Sequence, residues 1–394
     1  MPRALLAVLL WSGTELAVVA QATCSGAQQR EILMGFFVGL CVPRACVARP
    51  EIMRASQALS RVTLSASAQP VSTRATSVPA RGRSHLVAIV TLWLFPHAEG
   101  TQDCAAAMQI ARNSACPASR WMDVLAPLLA REEDMVFLNI GANKGYAIAD
   151  FLQRFNASET LDNRKWLQRV KRHVHSTVDI KCGVCGACKN PVPTVRMNRT
   201  RTLRAYAVEL ITANVGILQW LYKYFNVNGQ ILHLAVTNES GFVYEPRNAR
   251  PGTEWHSIST SGKRVRSVTV DDLLHETRLD EGLIDLLTID AEGFDPLIID
   301  GASKLLASKR ARIVEFEYHR VGMWVKGRSL RTTLDQMYTA GYQCYWEGND
   351  AVKGALAPAG GSDWCPEFEF RNMSNVLCAS EPALTQQLDR LIPW

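Results

Sequence analysis

The stretch Asn139–Tyr146, NIGANKGY, follows directly on the apolar run Met135–Leu138 (MVFL), and its reading decides how the rest of the chain is read. The apolar run is the pattern of a buried strand, and the GYAIADFLQRF that begins at Gly145 has the apolar spacing of an amphipathic helix. A strand, a Gly-x-x-x-Gly turn and a helix bring backbone N–H groups and a helix N-terminus to the C-terminal edge of a sheet. That is where α/β folds bind ligands. The spacing is not G-x-G-x-x-G, which disfavours NAD and a dehydrogenase, and it lacks the Lys-Ser/Thr ending of a phosphate loop. A tight strand-to-helix turn with no ligand has the same spacing.

Outward from this turn, strand and helix signals alternate. LRAYAVEL is a second strand and ANVGILQWLYKYF its helix, and QILHLAVT is a third strand. GFVYEP and KRVRSVTVDDLL read as shorter β segments. LIDLLTID is a buried strand followed by a helix in PLIIDGASKLLAS, and ARIVEFEYH is another strand. GYQCYWEG and SNVLCAS supply a final antiparallel pair. This order predicts a mostly parallel sheet covered on both faces. Residues 101–134 read as a helical extension in front of it, and 135–394 as one domain.

Glu209, at the end of the second strand, gives the turn its chemistry. A carboxylate there can accept hydrogen bonds from both hydroxyls of a ribose, and burying it unpaired would be costly. Turn and carboxylate together describe a site for a nucleoside cofactor. The interval between them is long: in a Rossmann-type unit the acidic residue lies about 20 residues past the turn, and here Gly145 and Glu209 are 64 apart. The excess is an insertion over residues 156–204, with eleven Lys/Arg against three acidic residues. It carries Cys182, Cys185 and Cys188 in C-x2-C-x2-C spacing, with His173 and His175 upstream. Disulfides are the simpler reading. Zinc would find its four ligands among these five, whereas an iron–sulfur cluster lacks its fourth cysteine, and no metal site is assigned.

Composition narrows the classes further. Residues 1–100 hold nine Lys/Arg against four Asp/Glu, and the remainder 34 against 33, so the folded part is near neutral. A nucleic-acid enzyme would keep its basic patch on the fold, and none is expected as a partner. The first hundred residues read as a targeting leader of low order with two short hydrophobic segments, MPRALLAVLLWSG and HLVAIVTLWLF. Membrane contact is expected only through these. Eight cysteines beyond residue 100 and sequons at Asn156, Asn198, Asn238 and Asn372 favour an oxidising lumen, so a glycosylated protein of the secretory pathway, secreted or anchored. An organelle reached by a bipartite leader is the alternative.

At this point the chain resembles the FkbM family of S-adenosylmethionine-dependent methyltransferases. FLNIGANKGY, YAVEL, ILHLAVTNESG, VRSVTVDDLL, IDLLTIDAEGFDPLIIDGA and RIVEFEYH carry the resemblance over about residues 135–320, with a weaker echo in GYQCYWEG and SNVLC. IDAEG followed by DGA is the most specific block. The resemblance implies a class I methyltransferase fold: a Rossmann-like, mostly parallel seven-stranded sheet with helices on both faces, here interrupted by the cysteine-containing insertion. It implies S-adenosylmethionine as cofactor, lying against Asn139, Gly141, Ala142, Asn143, Gly145, Glu209, Leu210 and Val236. It also implies methyl transfer to a hydroxyl of a carbohydrate or small metabolite. Asn139 stands where the family usually shows Asp, and the insertion is outside the family's common core.

Within that fold Asp290 ends the fourth strand beside the transferable methyl, where it can take a proton from a hydroxyl, orient it, or simply brace the next loop. Glu292 serves capping or catalysis equally well. Glu315, Glu317 and His319 alternate on one strand face, and the last two lie nearest the ligand edge. His319 is either a general base or a surface histidine. The catalytic candidates are therefore Asp290, Glu317 and His319. The basic insertion suits an anionic acceptor, such as a sulfated or uronic-acid sugar. A different class also fits: a catalytically silent member of the fold that uses the cysteine-rich insertion to bind a partner.

Overall fold

A computed structural model describes residues 5–12, 15–20, 89–92, 103–129, 134–155, 161–174, 183–186, 202–252 and 258–394. The chain divides into two compact units, Met1–Ala98 and Glu99–Trp394. In the first, β1 (Leu5–Ser12), β2 (Glu15–Ala20) and β3 (Ile89–Leu92) form a small antiparallel sheet in the order β2-β1-β3. The two apolar leader segments thus contribute strands. Among the described residues no helix is long and apolar enough to cross a membrane.

The second unit opens with α1 (Cys104–Arg112) and α2 (Arg120–Leu129). Then come β4 (Met135–Ile140), α3 (Tyr146–Phe155), α4 (Asn163–Val174), β5 (Leu203–Glu209) and α5 (Thr212–Phe225). Next are β6 (Gly229–His233), β7 (Ala235–Val236), β8 (Gly241–Pro246), β9 (Gly262–Val268) and α6 (Val270–Thr277). β10 (Ile284–Ile289), α7 (Asp295–Asp300), α8 (Ser303–Ala307), β11 (Ala311–Tyr318) and α9 (Leu330–Thr339) follow. β12 (Gln343–Glu347), β13 (Leu356–Pro358), β14 (Ser374–Ala379) and α10 (Pro382–Leu388) complete it.

Eight strands, not seven, form the main sheet, in the order β13-β12-β14-β11-β10-β4-β5-β6. From β6 to β11 the neighbours are parallel, while β14 runs antiparallel to both β11 and β12. The eighth strand is β13, a three-residue edge paired to β12. Chain order reverses at β4, whose neighbours are β5 on one side and β10 on the other. A crevice opens at such a switch point, and it is the position of the NIGANKGY turn.

Strand periodicity explains how both faces are buried. Met135 and Phe137 point to a core shared with α2, α3, α4, α5 and α10, while Val136, Leu138 and Ile140 point to one shared with α1, α6, α7, α8 and α9. Each fully buried large apolar side chain there contributes about 1.5–3 kcal/mol. Among the described residues there are three disulfides: Cys104–Cys365, Cys116–Cys185 and Cys344–Cys378, the last joining the neighbouring strands β12 and β14. They are what an oxidising secretory environment allows.

Three expectations change. VDDLL is helix rather than strand, because the Thr269 side chain accepts from Asp272 N at 3.0 Å and caps α6. QILHLAVT divides into β6 and β7, and β7 leaves the main sheet to pair with β9. The single helix expected in PLIIDGASKLLAS is two short ones broken at Gly301 and Ala302. The insertion, where described, is partly a packed helix: α4 buries Trp166 and Val170 and turns its basic residues outward. Cys185 pairs with Cys116 outside the insertion. Cys182, Cys188, His175 and the sequons Asn156 and Asn198 lie outside the described residues. Asn238 and Asn372 are exposed.

Candidate functional site

A pocket of about 710 Å³ lies at the C-terminal ends of β4, β5, β10 and β11, within the usual range for small-molecule sites. Asn139, Gly141, Ala142, Asn143, Glu209, Leu210, Val236, Asp290, Glu317 and His319 all line it. Gly145 does not, and the reason answers what the glycine turn is for. A Cβ on Gly145, whose φ is +80°, would stand 2.9 Å from both Leu218 of α5 and Trp166 of α4. Gly145 is thus demanded by helices packed behind the turn. A Cβ on Gly141 would meet the Asp290 carbonyl oxygen at 1.8 Å, so this glycine lets the ends of β4 and β10 close on one another. Trp166 Nε1 also donates to Lys144 O at 2.7 Å, so the inserted helix holds the turn from beneath.

Glu209 is buried, and its oxygens accept from Asn143 N at 2.6 Å and Ile211 N at 2.7 Å. Burial pushes its carboxyl up to about 7 against those two bonds and one from Asn214. It therefore joins the glycine turn to the start of α5, with further lone pairs free to accept. Asn139 is also buried; its Nδ2 donates to Thr288 Oγ1 at 2.8 Å, while its Oδ1 meets no hydrogen-bond donor among the described residues.

At the far side of the turn stand acidic groups from the ends of β10 and β11. Asp290, Glu292, Glu315 and Glu317 line the pocket, and Asp295 sits buried behind them. Glu317 is raised well above the ordinary carboxylate range by burial, then by the charges of Asp290, Asp295 and Glu292 and a hydrogen bond with Asp290. Burial raises Asp295 to about 8, although it accepts from Gly293 N at 3.1 Å and Glu317 N at 3.3 Å. Burial likewise raises Glu315 to about 7 while Asn375 Nδ2 donates to it at 3.2 Å. His319 is driven down to about 4 by burial, so it is neutral at pH 7. Its Nδ1 lies 3.8 Å from Glu317 Oε2, and its buried Nε2 has no hydrogen-bond partner among the described residues. Among the described residues no group of His, Cys, Asp and Glu has the arrangement to hold a metal ion.

Several lining residues escaped the sequence reading. Thr288 lies two positions before Asp290, so the period of a strand would have placed it on the same face. Arg112, Ala115, Asn372, Met373 and Asn375 come from α1, its following loop, the approach to β14 and β14 itself. Only the tertiary fold brings those to the site. Arg196, Arg199 and Arg201, the basic residues expected to bind an acceptor, lie outside the described residues.

A mostly parallel sheet covered on both faces, with a glycine turn at its switch point and a buried carboxylate one strand over, is an architecture of the methyltransferase kind. The model of the Methyltransferase FkbM domain matches residues 139–344, just over half of the chain, and the protein belongs to the FkbM methyltransferase family. Among solved structures, the chain is similar to methyltransferase FkbM from Methylobacillus flagellatus KT at 11% identity and a TM-score of 0.33. That match covers 70% of this chain and 58% of the other. It is also similar to the human methyltransferase 10 domain containing protein at 10% identity and a TM-score of 0.27, covering 73% of this chain and 99% of that one. No curated protein matches the chain.

Proposed function

We propose that the protein is an O-methyltransferase that methylates a hydroxyl of a carbohydrate or small metabolite bearing an anionic group. The observation that carries this reading is the Asp290–Glu317 pair, two carboxyls in hydrogen-bond contact that line the same pocket as Glu209. The residues fit S-adenosylmethionine: Glu209 suits a ribose, and the orphaned Asn139 Oδ1 suits the ammonium of an amino acid. When bound, this cofactor supplies an electrophilic methyl carbon on a sulfonium.

The work left to the chain is orientation and proton removal. An alkyl hydroxyl ionises far above neutral pH, so it needs a base or firm alignment as it attacks. Glu317 keeps its proton and donates to Asp290, leaving the pair a single negative charge. The hydroxyl's proton goes to this pair. Neutral His319 offers Nε2 to hold the hydroxyl in line. Arg112 and Arg320, exposed on the lining and without a carboxylate partner among the described residues, support an anionic group on the acceptor.

The test is calorimetric titration with S-adenosylmethionine, then a screen of sulfated, uronic-acid and neutral glycans and of hydroxylated metabolites with methyl-labelled cofactor. Binding and a labelled ether product are expected, with anionic acceptors losing affinity as salt rises. No binding at millimolar cofactor would overturn the reading in favour of a silent interaction protein. Label on nitrogen, carbon or a carboxylate would overturn the ether assignment.

A further inference from the structure

The described part of the C-x2-C-x2-C segment, Gly183–Gly186, lies on the pocket: Gly183, Val184 and Cys185 are lining residues. It reaches between two walls. On one side, a Cβ built on Gly183 would lie 3.9 Å from the Tyr146 ring, at the start of α3 just after the glycine turn. On the other, Cys185 is bonded to Cys116, in the loop after α1. That loop is a firm post: Asn375 N donates to Ser114 O at 3.2 Å, Asn349 N to Asn113 O at 2.8 Å, and Asn349 Nδ2 to Ala115 O at 3.2 Å. Among the described residues the segment makes few other contacts. Its one hydrogen bond among the described residues, Gly186 N to Gly183 O at 3.2 Å, is internal, and Val184 is 53% exposed. Among the described residues the disulfide is therefore what holds the segment in place.

The three described disulfides differ in access. Cys185 is exposed and Cys116 half-buried, whereas each of the other two bonds has a fully buried cysteine: Cys365, bonded to half-buried Cys104, and Cys378, bonded to buried Cys344. A thiol reductant meets the Cys116–Cys185 sulfurs first.

We propose that Gly183–Gly186 is a strap across the pocket mouth, that Val184 sets what passes beneath it, and that the Cys116–Cys185 disulfide is its latch. This rests on reading the pocket as a nucleoside-cofactor site. Latched, the strap slows exit of the nucleoside product and narrows the space open to the acceptor. Opening the latch leaves the post and the glycine turn intact, so the cofactor still binds.

The experiment measures the release rate of S-adenosylhomocysteine from the full chain. In Cys116→Ser/Cys185→Ser, release is expected to be faster by about fivefold or more, and in Val184→Trp with the latch intact slower by about threefold. Rates within about twofold of the parent in both would overturn the strap. Should the double variant fail to fold, brief reduction of the parent protein replaces it, followed by alkylation and mass mapping. Cys116 and Cys185 are expected to be labelled first, with the same acceleration. Prior opening of either other disulfide would overturn the latch. If the parent protein binds no S-adenosylhomocysteine, the cofactor reading fails, and the strap is judged by hydrogen exchange at 183–186. Exchange faster by about tenfold in the unlatched protein supports the strap, and equal exchange overturns it.

Discussion

The two ends of β10 and β11 treat charge in opposite ways. At their N-terminal ends, Arg312 is 1% exposed and lies 2.8 Å from Asp285 Oδ1 and 2.6 Å from Glu381 Oε1. Asp285 Oδ2 also accepts from Val136 N at 2.9 Å, so this acid braces β4 as well. At the C-terminal ends of the same strands, Asp290 and Glu317 share a hydrogen bond, with Asp295 and Glu292 near enough to raise Glu317 further. Arg312 and Asp285 are buried at one end, whereas at the other Glu315 and Glu317 are half-buried and Asp290 is exposed to the pocket. Compensation differs as well: opposite charges are paired at one edge, and acids crowd together at the other, where protons are retained to limit their repulsion. Paired charge holds a fold together, whereas crowded like charge persists at a cost in stability and marks where chemistry is done.

The largest effect should come from breaking the paired end. Arg312→Met leaves two carboxylates uncompensated and should cost about 3–5 kcal/mol of stability. Chemical denaturation measures it; the turnover of the folded fraction should stay near normal. Asp290→Asn is the mirror experiment: thermal stability held or raised, cofactor affinity near normal, and turnover down by about a hundredfold or more. An unaltered rate would return Asp290 to a bracing role and leave His319 as the base.

Titration sharpens the contrast. Asp295 at about 8 and Glu209 and Glu315 at about 7 hold protons in the folded state that the unfolded chain has already released. Stability should therefore fall as pH rises from about 6.5 to 8, on the order of 2 kcal/mol. His319, lowered to about 4, works the other way, but only below its unfolded value near 6.5. Melting temperatures across that window, with Asp295→Asn flattening the slope, would check it.

Glu209→Gln should be the mildest change. It loses the charge and must present an amide N–H₂ toward Asn143 N or Ile211 N, so cofactor affinity should drop by about tenfold. A change below about threefold would mean that Glu209 serves the turn and not a ribose. Gly141→Val belongs elsewhere: its side chain would strike the Asp290 carbonyl, so it tests the fold and not the pocket.

Much of this was legible along the chain because it is local. Alternating strand and helix patterns yielded the parallel sheet, and the spacing of Glu315, Glu317 and His319 placed three groups on one face, all of which line the pocket. The errors were local contests decided from afar or by caps. Thr269 capping α6 overrode a β-rich run, and a three-residue edge strand was too short to register.

The sequence by itself determined the strand–turn–helix, the carboxylate at the end of β5 and the family to which the chain belongs. A period of two or 3.6 and a turn motif are properties of neighbouring residues. Only the tertiary structure decided why the glycines are glycines, because their neighbours are Asp290 of β10, Trp166 of α4 and Leu218 of α5. It alone decided that Cys185 reaches back 69 residues to Cys116 and that Arg112 of α1 stands on the same pocket as Arg320 after β11. It alone decided which acids are compensated. Pairing and burial depend on distance in space, and no periodicity along a chain encodes that.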